Sequence, residues 1–554
     1  MRFAILAGLI LLPGSAPAQQ EITINVNANA TVGAFKPIWA YFGYDEPNYT
    51  YTKNGVKLVR ELGAMARTPV YIRAHNLLTT GNGQPALKWG STNAYTENAT
   101  GDSVYDWTIT DRIFDTYIQA KAKPFVEIGF MPEALSTHPQ PYQHSWPKTK
   151  IAAGWAYPPK DFEKWRELVF QWVKHCIARY GVQEVNSWYW EVWNEPDIEY
   201  WQGTPDEYNR LYDFAVDGVK RAAPRARVGG PATTGPASPK AAAFLRQFLE
   251  HCATGANAAT GKHGSPLDFI TYHAKGRPNV VASHVQMGLG KNLQDVSDGM
   301  QIVTSFPQFR GLPIILSESD PEGCAACSAR VYPQNAYRNG ALYPCYTAAA
   351  MSNIFKLADQ HKANIEGMLT WAFEFENQPY FDGFRTLATN GIDKPVLNVF
   401  RMAAKMTGDR VPVESSGSIP VADIMESGVR NNPFVDSMAT KSAGEVSALI
   451  WNYHDDDLDS PAADVRLIIA GVPPTAKQVT IRHYRIDNDH SNSYTLWKSL
   501  GSPQSPTPEQ YSRLEAAGHL QELGPAESVP AKSGKVELHF SLPRQGVSLV
   551  QASW

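Results

Sequence analysis

With 554 residues the chain exceeds one ordinary domain and has room for a barrel and one accessory unit. Its 50 basic and 54 acidic side chains leave a formal charge of −4, which offers nothing to attract a nucleic acid or a membrane surface. The 15 Trp and 25 Tyr suit a large core, and aromatic faces also stack on the C–H faces of sugars.

Residues 1–18 read as a secretory leader: Arg2 gives a charged start, Phe3–Leu12 is apolar but too short to span a bilayer, and Ala16-Pro17-Ala18 fits an A-x-A cleavage site. No later run is apolar for long enough to cross a membrane, so a secreted or periplasmic protein is expected. Five cysteines are an odd number for such a chain. Cys324 and Cys327 form a lone C-x-x-C with Cys345 nearby, and Cys176 falls on the apolar face of a helix. That is too few ligands for a zinc site, and neither metal nor cofactor is expected. A local disulfide within 324–345 fits, with its pairing open.

Residues 19–37 carry one alternating strand, Glu21–Asn27, which needs a host sheet. From Ile38 to about residue 407 strands and helices alternate. Eight strands are expected: Ile38–Tyr44, Val70–Arg73, Pro124–Gly129, Trp188–Asn194, Ala226–Gly230, Phe269–His273, Pro313–Glu318 and Gly367–Phe373. The clearest helix is Asp161–Tyr180, with Trp165, Leu168, Val169, Trp172, Cys176, Ile177 and Tyr180 on one face. Others are Thr204–Ala223, Ala242–Cys252, Asn335–Asp359 and Pro395–Met406. This order predicts an α/β fold, a (β/α)8 TIM barrel with its active site at the carboxyl ends of the strands. A doubly wound sheet competes, but no Gly-rich phosphate loop follows any strand. Beyond residue 408 short strands replace helices: Val446–Tyr453, Val465–Ile469, Gln478–Tyr484, Val536–Leu542 and Val547–Ala552, with one helix at Pro508–Ala517. They read as an accessory antiparallel β-sandwich over 408–554, host to the N-terminal strand.

The stretch Trp188–Pro196, WYWEVWNEP, organises the chemistry. It reads as a strand buried on both faces and stopped by Pro196, which pushes Glu195 towards an extended conformation. Walls of Trp190 and Trp193 would desolvate Glu195 and raise its carboxyl pKa, as a general acid near neutral pH requires. Such an acid needs a partner, and Glu127, Glu133, Glu318, Glu374 and Glu376 all stand near strand ends. Glu318 closes the seventh strand and is the choice. A gap of roughly 5–5.5 Å between the two carboxyls would mean retention, and roughly 6.5–9.5 Å inversion.

Further motifs carry a resemblance: Ile72–Asn76, Tyr105-Asp106-Trp107, Lys123–Leu135, Glu191–Pro196, Asp268–His273, Ser317–Pro321 and Gly391–Pro395. Trp451–His454 and His483–Asp487 extend it into the tail. The chain is similar to glycoside hydrolase family 39, the family of β-xylosidases and α-L-iduronidases. The resemblance implies a retaining mechanism with Glu195 as acid/base and Glu318 as nucleophile, and Asn194 bound to the sugar 2-hydroxyl. In that frame His75 and His273 line the sugar pocket, Trp371 floors it, and Arg73 holds a carboxylate in place. Tyr44, Asp45 and Glu46 are weaker candidates for hydroxyl recognition. Lys275, in His273-Ala274-Lys275-Gly276, is like the basic residue that meets the sugar carboxylate in the iduronidase branch; paired with Asp320 or Glu322 it would not serve that role. The expected function is release of xylose from non-reducing ends of xylo-oligosaccharides. An iduronidase-like or arabinose-releasing enzyme and a non-catalytic carbohydrate-binding protein are the rivals.

Overall fold

The computed structural model describes residues 21–144, 151–152 and 154–554; the leader read in residues 1–18 lies outside them. Eight parallel staves close on themselves: β1 (Tyr41–Tyr44), β2 (Tyr71–Ala74), β3 (Lys123–Ile128), β4 (Tyr189–Val192), β5 (Arg227–Thr233), β6 (Phe269–Lys275), β7 (Ile314–Asp320) and β8. The eighth is broken at Leu369 into Ile365–Met368, which pairs with β7, and Thr370–Trp371, which pairs with β1 and shuts the barrel. The barrel is therefore a (β/α)8 barrel. The first stave starts at Tyr41 rather than Ile38, because the Ala40 N–H turns back to the Pro37 carbonyl.

Side chains alternate across each stave. Tyr41, Phe125, Tyr189, Phe269, Ile315 and Leu369 point inward and fill the barrel as a cluster of their own. The outward set, with Trp190 and Val192 among it, merges with the helices into the larger core. Helix Phe162–Tyr180 begins where the Asp161 carboxylate accepts the N–H groups of Glu163 and Lys164. Pro205–Ala222 starts with a capping box between Thr204 and Glu207. Lys53–Ala64, Thr108–Gln119 and Leu289–Thr304, absent from the sequence-based set, complete the helical ring. The expected helix Asn335–Asp359 is two elements, a 3-10 turn at Pro333–Asn339 and a helix at Leu342–His361, with extended backbone at Gly340 between them.

The tail forms two packed sheets. One orders Val413–Ser415, Ile22–Asn27, Ala463–Ala470 and Lys535–Leu542; the other centres on Phe434–Ser442, Glu445–Tyr453, Val547–Ser553 and Gln478–Ile486. Ile24, Val26, Val465 and Leu467 meet Val435, Ile450 and Val550 between them. The sandwich is antiparallel except at one seam, where the N-terminal strand runs parallel to Ala463–Ala470. Helix Leu342–His361 joins the two bodies: Tyr346 meets the Tyr453 ring edge-on, 6.0 Å between centroids, and Cys345 lies 3.7 Å from the Gly546 carbonyl.

Candidate active site

The inward register of β2, β3 and β4 sets Arg73, Glu127 and Glu191 one layer above the aromatic plug, all fully buried. Arg73 Nε donates to Glu191 Oε2 at 2.5 Å, and Nη2 lies 2.9 Å from Glu127 Oε2 and 3.0 Å from Asn194 Oδ1. Its Nη1 reaches Glu318 Oε1 at 3.4 Å. Arg73 thus grips carboxylates from below, as expected of it. Burial pushes Glu127 up to about 8, even against His75 and Arg73.

Above this layer, staves β1, β2, β4, β6, β7 and β8 surround a cavity of about 270 Å³, at the small end of ligand sites. Asn194, Glu195, His75, Glu318, Lys275 and Trp371 all line it. The carboxylates of Glu195 and Glu318 and the His273 ring each present an atom within 4.8 Å of the others. Three such atoms suit a cation by distance, but Lys275 already meets Glu318 there, Nζ to Oε2 at 2.5 Å.

Glu195 does not take the extended conformation that Pro196 suggested. Its φ is +43°, beside Trp193 at +72°, and its N–H donates to the Ala232 carbonyl at 2.9 Å. A non-glycine residue in the left-handed region is strained, and this bend turns the carboxylate over the cavity mouth. The expected tryptophan walls are also absent. Trp190 faces outward against Trp172 and Trp188, and Trp193 donates its indole N–H to the Tyr200 carbonyl and packs on Phe130 and Trp201. Trp190 points away because strand alternation gives the inward place to Glu191, whereas Trp193 lies past the end of the stave, where its left-handed backbone breaks the alternation. Ile198, Tyr200 and Thr234 line the cavity beside Glu195 instead, and His273 Nδ1 lies 2.8 Å from its Oε1. His273 therefore touches the acid/base candidate directly.

Glu318 is 8% exposed. Burial alone would raise its carboxyl, but Lys275, His273 and His75 override that and hold it well below the usual range. His75 bridges Asp45 Oδ1 at 2.8 Å and Glu127 Oε2 at 3.1 Å; burial works against its charge, yet these carboxylates raise it to about 9. Asn194 gives Oδ1 to Arg73, which leaves its Nδ2 donor for a ligand. The Trp371 indole sits 4.2 Å from the His75 ring and is seated by Gly43, where a Cβ would come within 2.4 Å of it. Its backbone N–H is held by Asp320, 3.0 Å from Oδ2.

Tyr44 and Glu46 do not reach the cavity. The Tyr44 hydroxyl is 2.5 Å from both Thr50 and Tyr117 on the outer side of β1, and its ring stacks on Phe373. Glu46 is fully buried, accepts the Lys88 N–H at 2.8 Å, and is raised to about 8 by burial and by Asp45. Of that trio only Asp45 lines the cavity, ion-paired to Lys88. Glu374 is buried elsewhere against the Gly391 N–H. Lys275 lines the cavity and is paired as well, with Glu318 and, at 3.3 Å, with Asp320. Lys88 and Lys291 are lining residues no motif pointed to; both sit on loops or helices beyond strand ends. Cys324 and Cys327 form a disulfide at the cavity rim, while Cys345 is a free buried thiol.

The chain is 25% identical over 464 residues to a β-xylosidase from Geobacillus stearothermophilus, covering 81% of this chain and 80% of the relative. It is 28% identical over 416 residues to an α-L-iduronidase from Mus musculus, 70% and 61% of the two chains. The crystal structure of a monomeric β-xylosidase from Caulobacter crescentus superposes with a TM-score of 0.73 at 21% identity, over 96% of this chain and 99% of the other. The model of the Glycosyl hydrolases family 39 matches residues 22–531, from the first sandwich strand through the barrel and back into the sandwich. A match of that extent, over a barrel whose fourth and seventh staves bring two glutamates to one cavity, makes the chain a member of glycosyl hydrolase family 39.

Proposed function

We propose that the protein is a retaining, exo-acting β-D-xylosidase that frees xylose from the non-reducing ends of xylo-oligosaccharides. The observation that carries the reading is the approach of Glu195 and Glu318 oxygens to within 4.8 Å, close to the separation of about 5–5.5 Å that retaining enzymes use. Glu318, kept ionised, attacks the anomeric carbon, and Glu195 gives its proton to the departing oxygen. Glu195 then takes a proton from water as water releases the sugar from Glu318. The Asn194 Nδ2 donor faces the sugar 2-hydroxyl, a contact that strengthens as the oxocarbenium-like transition state forms.

A neutral pentose suits the charges around the cavity. Lys275 is matched by Glu318 and Asp320, Lys88 by Asp45, and Lys291 by Asp295. The β-xylosidase relative supports the same choice. One observation favours a second reading: Lys275 lines the cavity, where a uronic acid carboxylate would compete with Glu318 and Asp320 for it, and an α-L-iduronidase is among the relatives. The Asp320 pairing counts against it. The leader-like segment and the Cys324–Cys327 disulfide support a secreted or periplasmic location.

A panel of nitrophenyl β-xyloside, arabinosides and α-L-iduronide separates these readings. Fastest turnover of the xyloside is expected; preference for the iduronide would hand the site to the second reading. Glu195→Ala and Glu318→Ala should each lower kcat at least roughly a hundredfold. Azide should rescue the first with retention and the second with inversion. Turnover of no glycoside would favour a binding protein.

A further inference from the structure

Four basic side chains converge on Glu318. From β2, Arg73 and His75 approach Oε1 at 3.4 and 3.5 Å; from β6, His273 stands 3.9 Å from Oε1 and Lys275 2.5 Å from Oε2. Acidic groups surround it too: Glu127 on β3, Glu195 past β4 and Asp45 past β1 from other elements, and Asp320 from its own stave. Lys275 makes the shortest of these contacts, and it has a second anchor in Asp320 at 3.3 Å. Asp320 is itself fixed by the Trp371 N–H and by the Thr370 hydroxyl at 3.1 Å. The ammonium therefore stays beside the carboxyl whether Glu318 is free or esterified.

An ammonium bound to the free carboxylate acts oppositely on the two halves of a double displacement. In the first half Glu318 gives an electron pair to C1, the bond from C1 to the leaving oxygen breaks, and that oxygen takes the Glu195 proton. The carboxylate charge disappears, so the Lys275 contact weakens and opposes the step. In the second half water passes a proton to Glu195 and bonds to C1, and the C1–Glu318 bond returns its electron pair to the carboxylate. The charge reappears beside Lys275, which favours the step. Resting on the glycosidase reading above, we propose that Lys275 makes Glu318 the better leaving carboxylate, hastening hydrolysis of the glycosyl-enzyme at the expense of its formation.

The test uses the full chain and the aryl glycoside it turns over fastest, with Lys275→Met and Lys275→Arg. In Lys275→Met, kcat should fall roughly tenfold or more as release slows, and KM should fall further still, so that kcat/KM rises as formation of the glycosyl-enzyme is freed of its opposing contact. A burst of nitrophenol stoichiometric with enzyme should appear, and mass spectrometry should find a glycosyl ester on the Glu318 peptide. The acid limb of kcat/KM should move up by about one pH unit or more, because an opposite charge has left a buried carboxyl. Lys275→Arg should restore the limb and abolish the burst. Should the Met variant fail to fold, Lys275→Gln, which keeps a polar head without charge, gives the same readouts. A raised KM with no burst and an unmoved limb would overturn the inference. So would loss of uronide turnover alone with xyloside constants intact, which would make Lys275 a substrate contact. No turnover by the unaltered enzyme would instead bring down the glycosidase reading, and the inference with it.

Discussion

Replacing Arg73 by Met tests whether the buried charge layer under the cavity holds the site together. The guanidinium is fully buried, donates to Glu191 at 2.5 Å, Asn194 at 3.0 Å and Glu318 at 3.4 Å, and is ion-paired with Glu127 at 2.9 Å. Methionine keeps a similar stem and removes every donor. Breaking a buried ion pair from one side costs about 3–5 kcal/mol, since the partner keeps its desolvation penalty without its compensation. The loss is not multiplied by the number of acceptors, because carboxylates relieved of a cation take up protons, and Glu127 is already raised to about 8. Scanning calorimetry at pH 5 and pH 8 reads this. A fall in Tm of roughly 3–4 °C is expected at pH 8, with a smaller fall at pH 5, where protonation neutralises the orphaned acids. kcat should drop by at least roughly tenfold as Asn194 and Glu318 lose their tether. A change in Tm within about 1 °C, equal at both pH values, would show that the carboxylates do not depend on Arg73, and the account of the layer would fall.

Gly43→Ala should disturb the pocket floor, since the new methyl would meet the Trp371 indole at 2.4 Å and the Arg73 carbonyl at 2.9 Å. A loss of about 1–3 kcal/mol and a raised KM are expected, and denaturant unfolding alongside kinetics checks both. Stability should decline as pH rises from about 5 to about 9. Glu46, Glu127 and Glu374 are raised to about 8 by burial, and His75 to about 9 by its carboxylates, so the folded chain holds protons that the unfolded chain gives up earlier. Asp45 and Glu318 are lowered despite burial, by Lys88 and by Lys275 respectively, and contribute stability that is lost as pH falls below the ordinary carboxylate range. The thermal midpoint should therefore peak at mildly acidic pH, and a midpoint climbing steadily from pH 6 to 9 would refute the assignment.

Most staves were legible because they are short β-branched or aromatic runs, set off by helices of which some have clear caps, as with Asp161 and Thr204. Glu195 and Glu318 were legible because both end such runs. Trp190 faces outward for a reason the sequence contains, whereas Trp193 is turned away by a left-handed bend past the stave that alternation does not foretell. Period-two alternation from Tyr189, an inward residue, puts Glu191 inside and Trp190 outside. The same count applied to Tyr71 and Phe125 would have predicted Arg73, Glu127 and Glu191 in one layer. Tyr44 fails on the same parity: Gly43, beneath Trp371, is the inward neighbour. The left-handed turn at Glu195 had no local signal, since it depends on the Ala232 carbonyl from the next stave. Lys88 and Lys291 reach the cavity from loops and a helix end, where no periodicity fixes direction.

In the proposed mechanism Glu318 forms the bond to the sugar and Glu195 moves the proton. A 2-deoxy-2-fluoro-β-D-xyloside with a good leaving group slows both steps but release most, so the covalent species persists long enough to digest and sequence. One pentosyl ester is expected, on the peptide bearing Glu318, in the unaltered enzyme and also in Glu195→Ala. An ester on Glu127 or Glu374, or no ester together with a product of inverted configuration, would contradict it.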